Sequence, residues 1–187
     1  MKNTTMQPAV FLDRDGTLIE EVNYLSRVED LRLFPYTAEA IEILKSSGFL
    51  VIVITNQSGI GRGIYDEAAM HSIHESIQAE LNGAIDGFYF CPHLPCDGCS
   101  CRKPGLGMIE AARADFLIDM AGSWMVGDKQ IDVETGHAAG LRTAHVMTGY
   151  GVRHRDELKR PADISSEHLG AAAASICWLS SPEKKSM

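Results

Sequence analysis

Ala9-Val10-Phe11-Leu12-Asp13-Arg14-Asp15-Gly16-Thr17 is the stretch of the chain that decides the fold. Its four apolar residues predict a short buried strand, and two acidic residues follow with one residue between them. Because a strand alternates its faces, acids placed inside it would break the core pattern. At the carboxyl end of the strand, where the chain turns, both carboxylates can face one cleft. Ligands bind at this end of the strands in open parallel α/β sheets.

Apolar runs alternate with helical patterns along the rest of the chain. Continuous apolar runs predict strands at 10–12, 50–54, 87–90, 124–126 and 143–146. Amphipathic spacing predicts helices at 38–47, 66–81, 108–116 and 131–139, and a last strand and helix fit within 163–179. This order of elements predicts right-handed crossovers and an α/β fold with a doubly wound parallel sheet. We expect a single domain over 1–187.

Composition and charge limit the classes of protein to consider. The chain has 187 residues, is 45% hydrophobic and carries a formal net charge of −8. These values are typical of a globular domain and argue against binding to nucleic acid or to an anionic membrane. No apolar run is long enough to span a membrane, and Gln7 and Pro8 interrupt any signal-peptide core. We therefore expect a cytoplasmic protein, and a monomer.

Three predicted strand ends carry polar residues. Asp13 and Asp15 follow the first strand, 55–59 (TNQSG) ends the second, and 127–129 (GDK) ends the fourth. Each group alone could consist of turn and helix-cap residues, but three coincident groups indicate a site. Several carboxylates in one cleft require a cation, and oxygen ligands suit Mg²⁺, which in turn favours a phosphate ligand. Thr55 and Lys103 could then hold phosphate oxygens.

These groups together resemble the four ordered motifs of the haloacid dehalogenase superfamily, whose fold is Rossmann-like. The matching motifs are Asp13-Arg14-Asp15-Gly16-Thr17, Thr55-Asn56-Gln57, Lys103-Pro104 and Gly127-Asp128. The resemblance implies a phosphatase in which Asp13 is the nucleophile and Asp15 is the general acid and base. It also implies that Thr55 and Lys103 hold the transferring phosphoryl group. The Mg²⁺ ligands implied are Asp13, Asp15 and Asp128.

A cysteine cluster, 91–101, lies in a long connection without periodicity (91–107). Four of the five cysteines fall within these eleven residues, which in a reducing compartment indicates metal binding rather than disulfides. Four soft or borderline ligands suit a closed, tetrahedral, structural Zn²⁺ site. The alternative is a group of buried or free thiols. Cys96 could replace Cys99 or Cys101 as a ligand, so the ligand set is open at this point.

Within the superfamily, the chain most resembles members that bind zinc and have almost no cap domain. Their paired spacing implies Cys91, His93, Cys99 and Cys101 as zinc ligands, in a loop inserted at 91–103 that presents Lys103. One such group removes the 7-phosphate of D-glycero-D-manno-heptose 1,7-bisphosphate during synthesis of lipopolysaccharide or surface-glycan precursors, and another hydrolyses histidinol phosphate. The stretch 58–63 is more similar to the first group, whereas the short zinc loop is closer in length to the second.

The same resemblance implies contacts to a small phosphorylated sugar, with Arg102 recognising its second phosphate. The expected substrate contacts are Glu21, Val22, Asn23, Tyr24, Asn56, Gln57, Ser58, Arg102 and Lys129. A different class of protein, a zinc-organised binding module without catalysis, is the main alternative, and the intact acidic motifs argue against it. We further expect His71, His74 and Glu75 to form a solvated helix face.

Overall fold

A six-stranded parallel sheet forms the centre of the computed structural model, which describes residues 5–181. In chain order the strands are β1 (Ala9–Leu12), β2 (Leu50–Asn56), β3 (Gly87–Cys91), β4 (Trp124–Gly127), β5 (Arg142–Val146) and β6 (Ile164–Ser166). They lie in the order β3-β2-β1-β4-β5-β6, and all five neighbouring pairs are parallel. The doubly wound parallel sheet expected from the sequence is therefore confirmed.

Seven helices connect and cover the strands in the part of the chain described. They are α1 (Thr37–Ser46), α2 (Ser58–Gly61), α3 (Glu67–Glu80), α4 (Gly107–Asp115), α5 (Gln130–Ala138), α6 (Gly151–His154) and α7 (Leu169–Ser180). Asp66 caps α3, since its side chain accepts a hydrogen bond from the N–H of Ala69. The single-turn helices α2 and α6 were not expected, because one turn is too short to show helical periodicity.

The strand β1 shows how the sheet divides the core into two layers. Val10 and Leu12 pack in one cluster with the apolar faces of α1, α3 and α7, while Ala9 and Phe11 pack on the other side with α4. All four residues are fully buried, as expected for a central strand covered on both faces. Burying each large apolar side chain contributes about 1.5–3 kcal/mol, so β1 is firmly fixed in the sheet.

The loop 13–36 leads from β1 to α1 and carries little regular structure. It contains one 3₁₀ turn, Val28–Asp30, and isolated bridges that pair Asp15 with Ile19 and Ile19 with Leu33. This content matches the expectation of a minimal cap. No helix within 5–181 combines the length and the apolar character that a membrane crossing needs. The expected single domain, 1–187, reaches into ends that lie outside the described residues.

The position of β1 determines where a site can form. Its two neighbours are β2 on one side and β4 on the other. The strand order therefore reverses at β1: β2 and β3 are added on one side, and β4, β5 and β6 on the other. In parallel α/β sheets this reversal of strand order opens a crevice beyond the carboxyl ends of the strands. The polar residues that follow β1, β2 and β4 all lie at this crevice.

Candidate active site and cysteine cluster

A cleft of about 200 Å³ lies at the carboxyl ends of β1, β2 and β4. Its lining includes the four residues expected to act in catalysis, Asp13, Asp15, Thr55 and Lys103. Eight of the nine expected substrate contacts line it as well: Glu21, Asn23, Tyr24, Asn56, Gln57, Ser58, Arg102 and Lys129. Val22 does not; its side chain is exposed and lines a separate surface hollow with Ser26 and Arg32, on the outer side of the loop.

Lys103 joins two buried carboxylates beneath the cleft. Its Nζ lies 2.9 Å from Oδ1 of Asp13 and 2.7 Å from Oδ1 of Asp132. Burial opposes ionisation of Asp13, but the charges of Lys103 and Lys129 outweigh it and hold the pKa of that carboxyl below its ordinary value. Asp13 is therefore a carboxylate at neutral pH, as a nucleophile must be.

The amide of Asn56 holds the backbone of Lys103. Its Oδ1 accepts the Lys103 N–H at 3.0 Å, and its Nδ2 donates to the Lys103 carbonyl at 3.3 Å. These two bonds join the end of β2 to the end of the zinc loop. Asn56 lines the cleft, yet its amide is engaged with protein, so it positions Lys103.

Thr55 presents its hydroxyl at the same end of β2. Gln57 Nε2 donates to Thr55 Oγ1 at 2.7 Å, so the oxygen acts as an acceptor for the protein and can donate its own hydrogen to a ligand. Thr55 is almost fully buried and lines the cleft beside Lys103. The pair supplies a hydroxyl and an ammonium for the oxygens of an anion.

Carboxylate oxygens of Asp13, Asp128 and Asp132 all lie within 4.8 Å of one another. Asp128 is the member that best fits a metal ligand, because its buried Oδ1 has no hydrogen-bond partner among residues 5–181. Burial raises its pKa to about 8. A divalent cation would remove that cost by neutralising the carboxylate, and the all-oxygen donor set suits Mg²⁺.

The ammonium of Lys129 lies between the same oxygens. Its Nζ is 3.6 Å from Asp13 Oδ2, 3.6 Å from Asp128 Oδ1 and 3.4 Å from the main-chain oxygen of Asp15. Glu21 Oε2 lies 3.3 Å from it on the outer side. The site thus accommodates a positive charge. Asp15 faces the Lys129 ammonium with its main-chain carbonyl oxygen rather than with its carboxylate.

The Asp15 carboxylate turns instead to a buried arginine. Arg14 donates Nε to Asp15 Oδ2 and Nη2 to Asp15 Oδ1, each at 3.0 Å. Arg14 also reaches Gln57 Oε1 at 3.0 Å and His74 Nε2 at 3.3 Å. The expectation of a solvated His74 is wrong: α3 carries it inward with Met70 and Ile77, and only 5% of its surface is exposed.

Two glycines make room for the Asp128 carboxylate. Gly16 and Gly149 both have positive φ, +83° and +54°. A Cβ atom on either residue would collide with Asp128 Oδ2. The same oxygen accepts the N–H of Tyr150 at 2.7 Å. Only glycine meets both demands, left-handed backbone and close approach, at these two positions.

Four side chains of the kinds that bind metal ions also lie close together in the loop after β3. The Sγ atoms of Cys91, Cys99 and Cys101 lie 3.1–3.6 Å apart, and His93 Nδ1 lies 3.5 Å from Cys91 Sγ and 3.3 Å from Cys101 Sγ. Tetrahedral zinc with Zn–S bonds of about 2.3 Å needs S···S separations near 3.8 Å, close to this spacing. Cys96 is exposed and lies outside the group.

The cysteine cluster is joined to the cleft through Arg102. This residue follows Cys101 and lines the cleft, and its Nη1 donates to the carbonyl of His93 at 3.2 Å. The next residue is Lys103. A metal ion in the cluster would therefore hold both cations of the loop at the cleft.

Four further residues that the sequence did not assign to the site lie at it or directly behind it. They are Arg14, Tyr65, His74 and Tyr150. Tyr65 donates its hydroxyl to Gln57, and the Tyr150 ring lies 5.2 Å from Lys129 Nζ. His74 carried a usable signal, since its spacing from Met70 and Ile77 places it on the apolar side of α3.

Comparisons with known proteins agree with this geometry. A HAD-hydrolase-like family model matches residues 100–172. A D-glycero-D-manno-heptose-1,7-bisphosphate 7-phosphatase from Thermosynechococcus vestitus is 38% identical over 94% of this chain and 98% of its own. The D-glycero-beta-D-manno-heptose-1,7-bisphosphate 7-phosphatase of Escherichia coli K12 is 40% identical over 83% of this chain and 86% of its own.

A solved structure gives the same result. The D,D-heptose 1,7-bisphosphate phosphatase from B. bronchiseptica, complexed with magnesium and phosphate, superposes with a TM-score of 0.84 at 31% identity, covering 91% of this chain and 98% of that one. Fold and site define a phosphatase of the haloacid dehalogenase type. Within that class, the chain belongs to the D-glycero-D-manno-heptose-1,7-bisphosphate 7-phosphatase family.

Proposed function

We propose that this chain removes the 7-phosphate of D-glycero-D-manno-heptose 1,7-bisphosphate through an aspartyl-phosphate formed on Asp13. The observation that carries the proposal is the ionised Asp13 held 2.9 Å from Lys103, with Thr55 lining the same cleft. A nucleophile lies beside two groups that bind phosphate oxygens, in a family whose named members hydrolyse this substrate. The product would serve synthesis of heptose precursors for lipopolysaccharide or another surface glycan.

Asp13 and Asp15 divide the reaction into two displacements. An Asp13 oxygen attacks phosphorus as the P–O bond to the sugar breaks, and Asp15 gives its proton to the departing alkoxide. Water then attacks phosphorus and passes its proton to Asp15. The bond from phosphorus to Asp13 breaks, which releases phosphate and restores both starting residues. Thr55 and Lys103 hold the phosphoryl oxygens in both steps.

Mg²⁺ is the cation that the carboxylates fit. Asp13 and Asp128 would hold it with carboxylate oxygens, and Asp15 with the main-chain oxygen that faces Lys129 Nζ. The bound ion supplies charge neutralisation to the phosphate. Asp132 accepts Lys103 and the N–H of Lys129, so its task is to fix these two residues.

Arg102 supports a bisphosphate substrate over an amine-bearing one. It lines the cleft next to Lys103, and a guanidinium binds a phosphate in bidentate fashion. Histidinol phosphate would place an ammonium group where a second phosphate would otherwise lie. Glu21, Asn23 and Tyr24, which line the same cleft, would contact the sugar.

The cysteine cluster supports a structural zinc ion, since its four ligands leave no open position. We also infer a cytoplasmic monomer. None of the five cysteines forms a disulfide, as expected in a reducing compartment. Sedimentation equilibrium of the zinc-loaded protein tests the monomer.

Phosphate release from the two substrates at matched concentrations tests the function. With Mg²⁺ present, we expect the heptose bisphosphate to give a kcat/KM at least about 100-fold above that of histidinol phosphate, about 2.7 kcal/mol of discrimination. Omitting Mg²⁺ should stop both reactions. A preference for histidinol phosphate would refute the substrate, and hydrolysis of neither would refute the activity.

A further inference from the structure

A chain of buried polar side chains runs from α3 to the Asp15 carboxylate. His74 Nε2 contacts Arg14 Nη1 at 3.3 Å, and Arg14 binds both oxygens of Asp15. Arg14 is 1% exposed, and the His74 ring stacks on Phe88 with centroids 4.5 Å apart. Since an arginine has only donors, Nε2 of His74 must be the acceptor, and the imidazole is neutral. Burial and the Arg14 charge lower the His74 pKa to about 3, which agrees.

The hydrogen bonds to Asp15 can be counted oxygen by oxygen. An ionised carboxylate offers about four lone pairs, two on each oxygen. Oδ2 accepts from Arg14 Nε and from Gln57 Nε2 at 2.9 Å, so both of its lone pairs are used. Oδ1 accepts only Arg14 Nη2 among residues 5–181, which leaves it one lone pair. The single open position on the carboxylate is therefore on Oδ1.

We infer that Arg14 and His74 are positioning residues that orient the Asp15 carboxylate, leaving Oδ1 as the one atom that gives and takes the proton. The inference rests on the proposed phosphatase reaction and names the atom at which its acid step occurs. His74 acts through Arg14. It accepts a hydrogen bond from Nη1, the one guanidinium nitrogen that binds neither Asp15 nor Gln57. Without that acceptor, Arg14 would have a buried unpaired N–H and would turn towards another partner.

Two substrates whose leaving groups differ in their need for a proton distinguish a positioning role of His74 from a purely structural one. An alkyl phosphate has a poor leaving group and needs the proton of Asp15, whereas p-nitrophenyl phosphate departs as a stable anion and hardly needs it. The value of kcat/KM reports formation of the aspartyl-phosphate for both substrates. We expect His74→Leu to lower the ratio of kcat/KM for heptose bisphosphate to that for p-nitrophenyl phosphate about tenfold or more, which is part of the roughly 10²–10⁴-fold that general acids contribute.

Two further variants complete the test. His74→Gln keeps an acceptor for Arg14 and should restore the ratio to within about threefold of wild type. His71→Leu makes the same change on the exposed face of α3 and should leave the ratio unchanged. Equal losses on both substrates in His74→Leu, or no rescue by His74→Gln, would overturn the inference. If circular dichroism shows that His74→Leu is unfolded, Arg14→Lys, which cannot bind both oxygens, decides by the same ratio.

Failure of this inference differs from failure of the proposed function. A wild-type enzyme that hydrolyses neither phosphate would refute the phosphatase reaction itself. A wild-type enzyme active on both, with unchanged ratios in His74→Leu and Arg14→Lys, would refute only the positioning role. If the wild type prefers histidinol phosphate, that alkyl phosphate replaces the heptose in the ratio.

Discussion

Lys103 Nζ lies 2.9 Å from Asp13 Oδ1, and both side chains are almost completely buried. The ammonium also binds Asp132 at 2.7 Å, so it is shared between two carboxylates. This sharing keeps Lys103 paired even when Asp13 carries a phosphoryl group. The proposed nucleophile and its cation can therefore separate during the reaction without leaving an unpaired buried charge.

Replacement of the nucleophile should abolish turnover while preserving the fold. In Asp13→Asn the ammonium of Lys103 keeps its bond to Asp132, so we expect native circular dichroism and a loss of kcat of about 10³-fold or more. Phosphate release under saturating substrate measures the loss. Asp156→Asn, on an exposed acid, is the control and should retain full activity. Substantial residual activity in Asp13→Asn would refute the nucleophile assignment.

Replacement of one proposed zinc ligand should lower both the zinc content and the thermal stability of the protein. Cys99→Ser removes a thiolate that lies 3.5 Å from Cys91 Sγ and 3.6 Å from Cys101 Sγ. We expect less than about half of the zinc content of wild type by elemental analysis, and a lower melting temperature. Cys96→Ser is the matched control in the same loop and should keep its zinc. Full occupancy in Cys99→Ser would show that this ligand was wrongly assigned.

Magnesium should stabilise the protein more at alkaline than at acidic pH. Burial raises the Asp128 pKa from 3.8 to about 8 in the folded protein without metal. Folding therefore takes up a proton between about pH 4 and pH 8, and this contribution to stability is present below pH 4 and is lost as pH rises towards 8. Mg²⁺ requires the carboxylate, so its stabilising effect should grow over the same window.

Thermal melts at pH 5 and pH 8, without and with added Mg²⁺, measure this effect. We expect the Mg²⁺-induced rise in melting temperature to be several degrees larger at pH 8, which corresponds to roughly 1 kcal/mol or more. Asp128→Asn should abolish the difference between the two pH values. An equal rise at both pH values in wild type would contradict the raised pKa.

A methyl group at Gly149 should disable the metal site without unfolding the protein. Its φ of +54° is costly for alanine, and the added Cβ would also displace Asp128 Oδ2. Gly140 is the matched control, because its φ is +71° but nothing lies within 4 Å of an added Cβ. We expect Gly140→Ala to lose about 1 kcal/mol of stability, and Gly149→Ala to lose more, because its added Cβ would also lie 2.6 Å from the Cα of Gly16. Only Gly149→Ala should weaken Mg²⁺ activation, by about tenfold or more. Equal Mg²⁺ dependence in the two variants would contradict the role of Gly149.

The sheet and the general place of the site were predictable because local signals decide them. The apolar runs at β1 and β2 are buried on both faces, and each is followed directly by a polar residue. Their parallel order follows from the helices between them. No long-range contact had to be known to place Asp13, Thr55 and Asp128 at one edge.

The surroundings of Asp15 were not predictable, since they depend on contacts between distant residues. Spacing alone places Asp13 and Asp15 in one cleft but cannot tell that Arg14, between them, takes both oxygens of Asp15. The acceptor behind Arg14 is His74 on α3, which looked like part of a charged helix face beside His71 and Glu75. The spacing of His74 from Met70 and Ile77 indicates the apolar side of α3, but only its contact with Arg14 explains why a polar residue is buried there.

The pairing of β4 with β1 has a consequence for synthesis of the chain. The N–H of Asp13 bonds to the carbonyl of Val126 at 3.0 Å, so the strand that carries the nucleophile is completed by a segment made much later. A nascent chain that has emerged only as far as β3 can pair β1 with β2, but it lacks Asp128 and Asp132. Phosphatase activity on the ribosome should therefore appear in one step, once the segment through Tyr150, whose N–H binds Asp128, has left the exit tunnel.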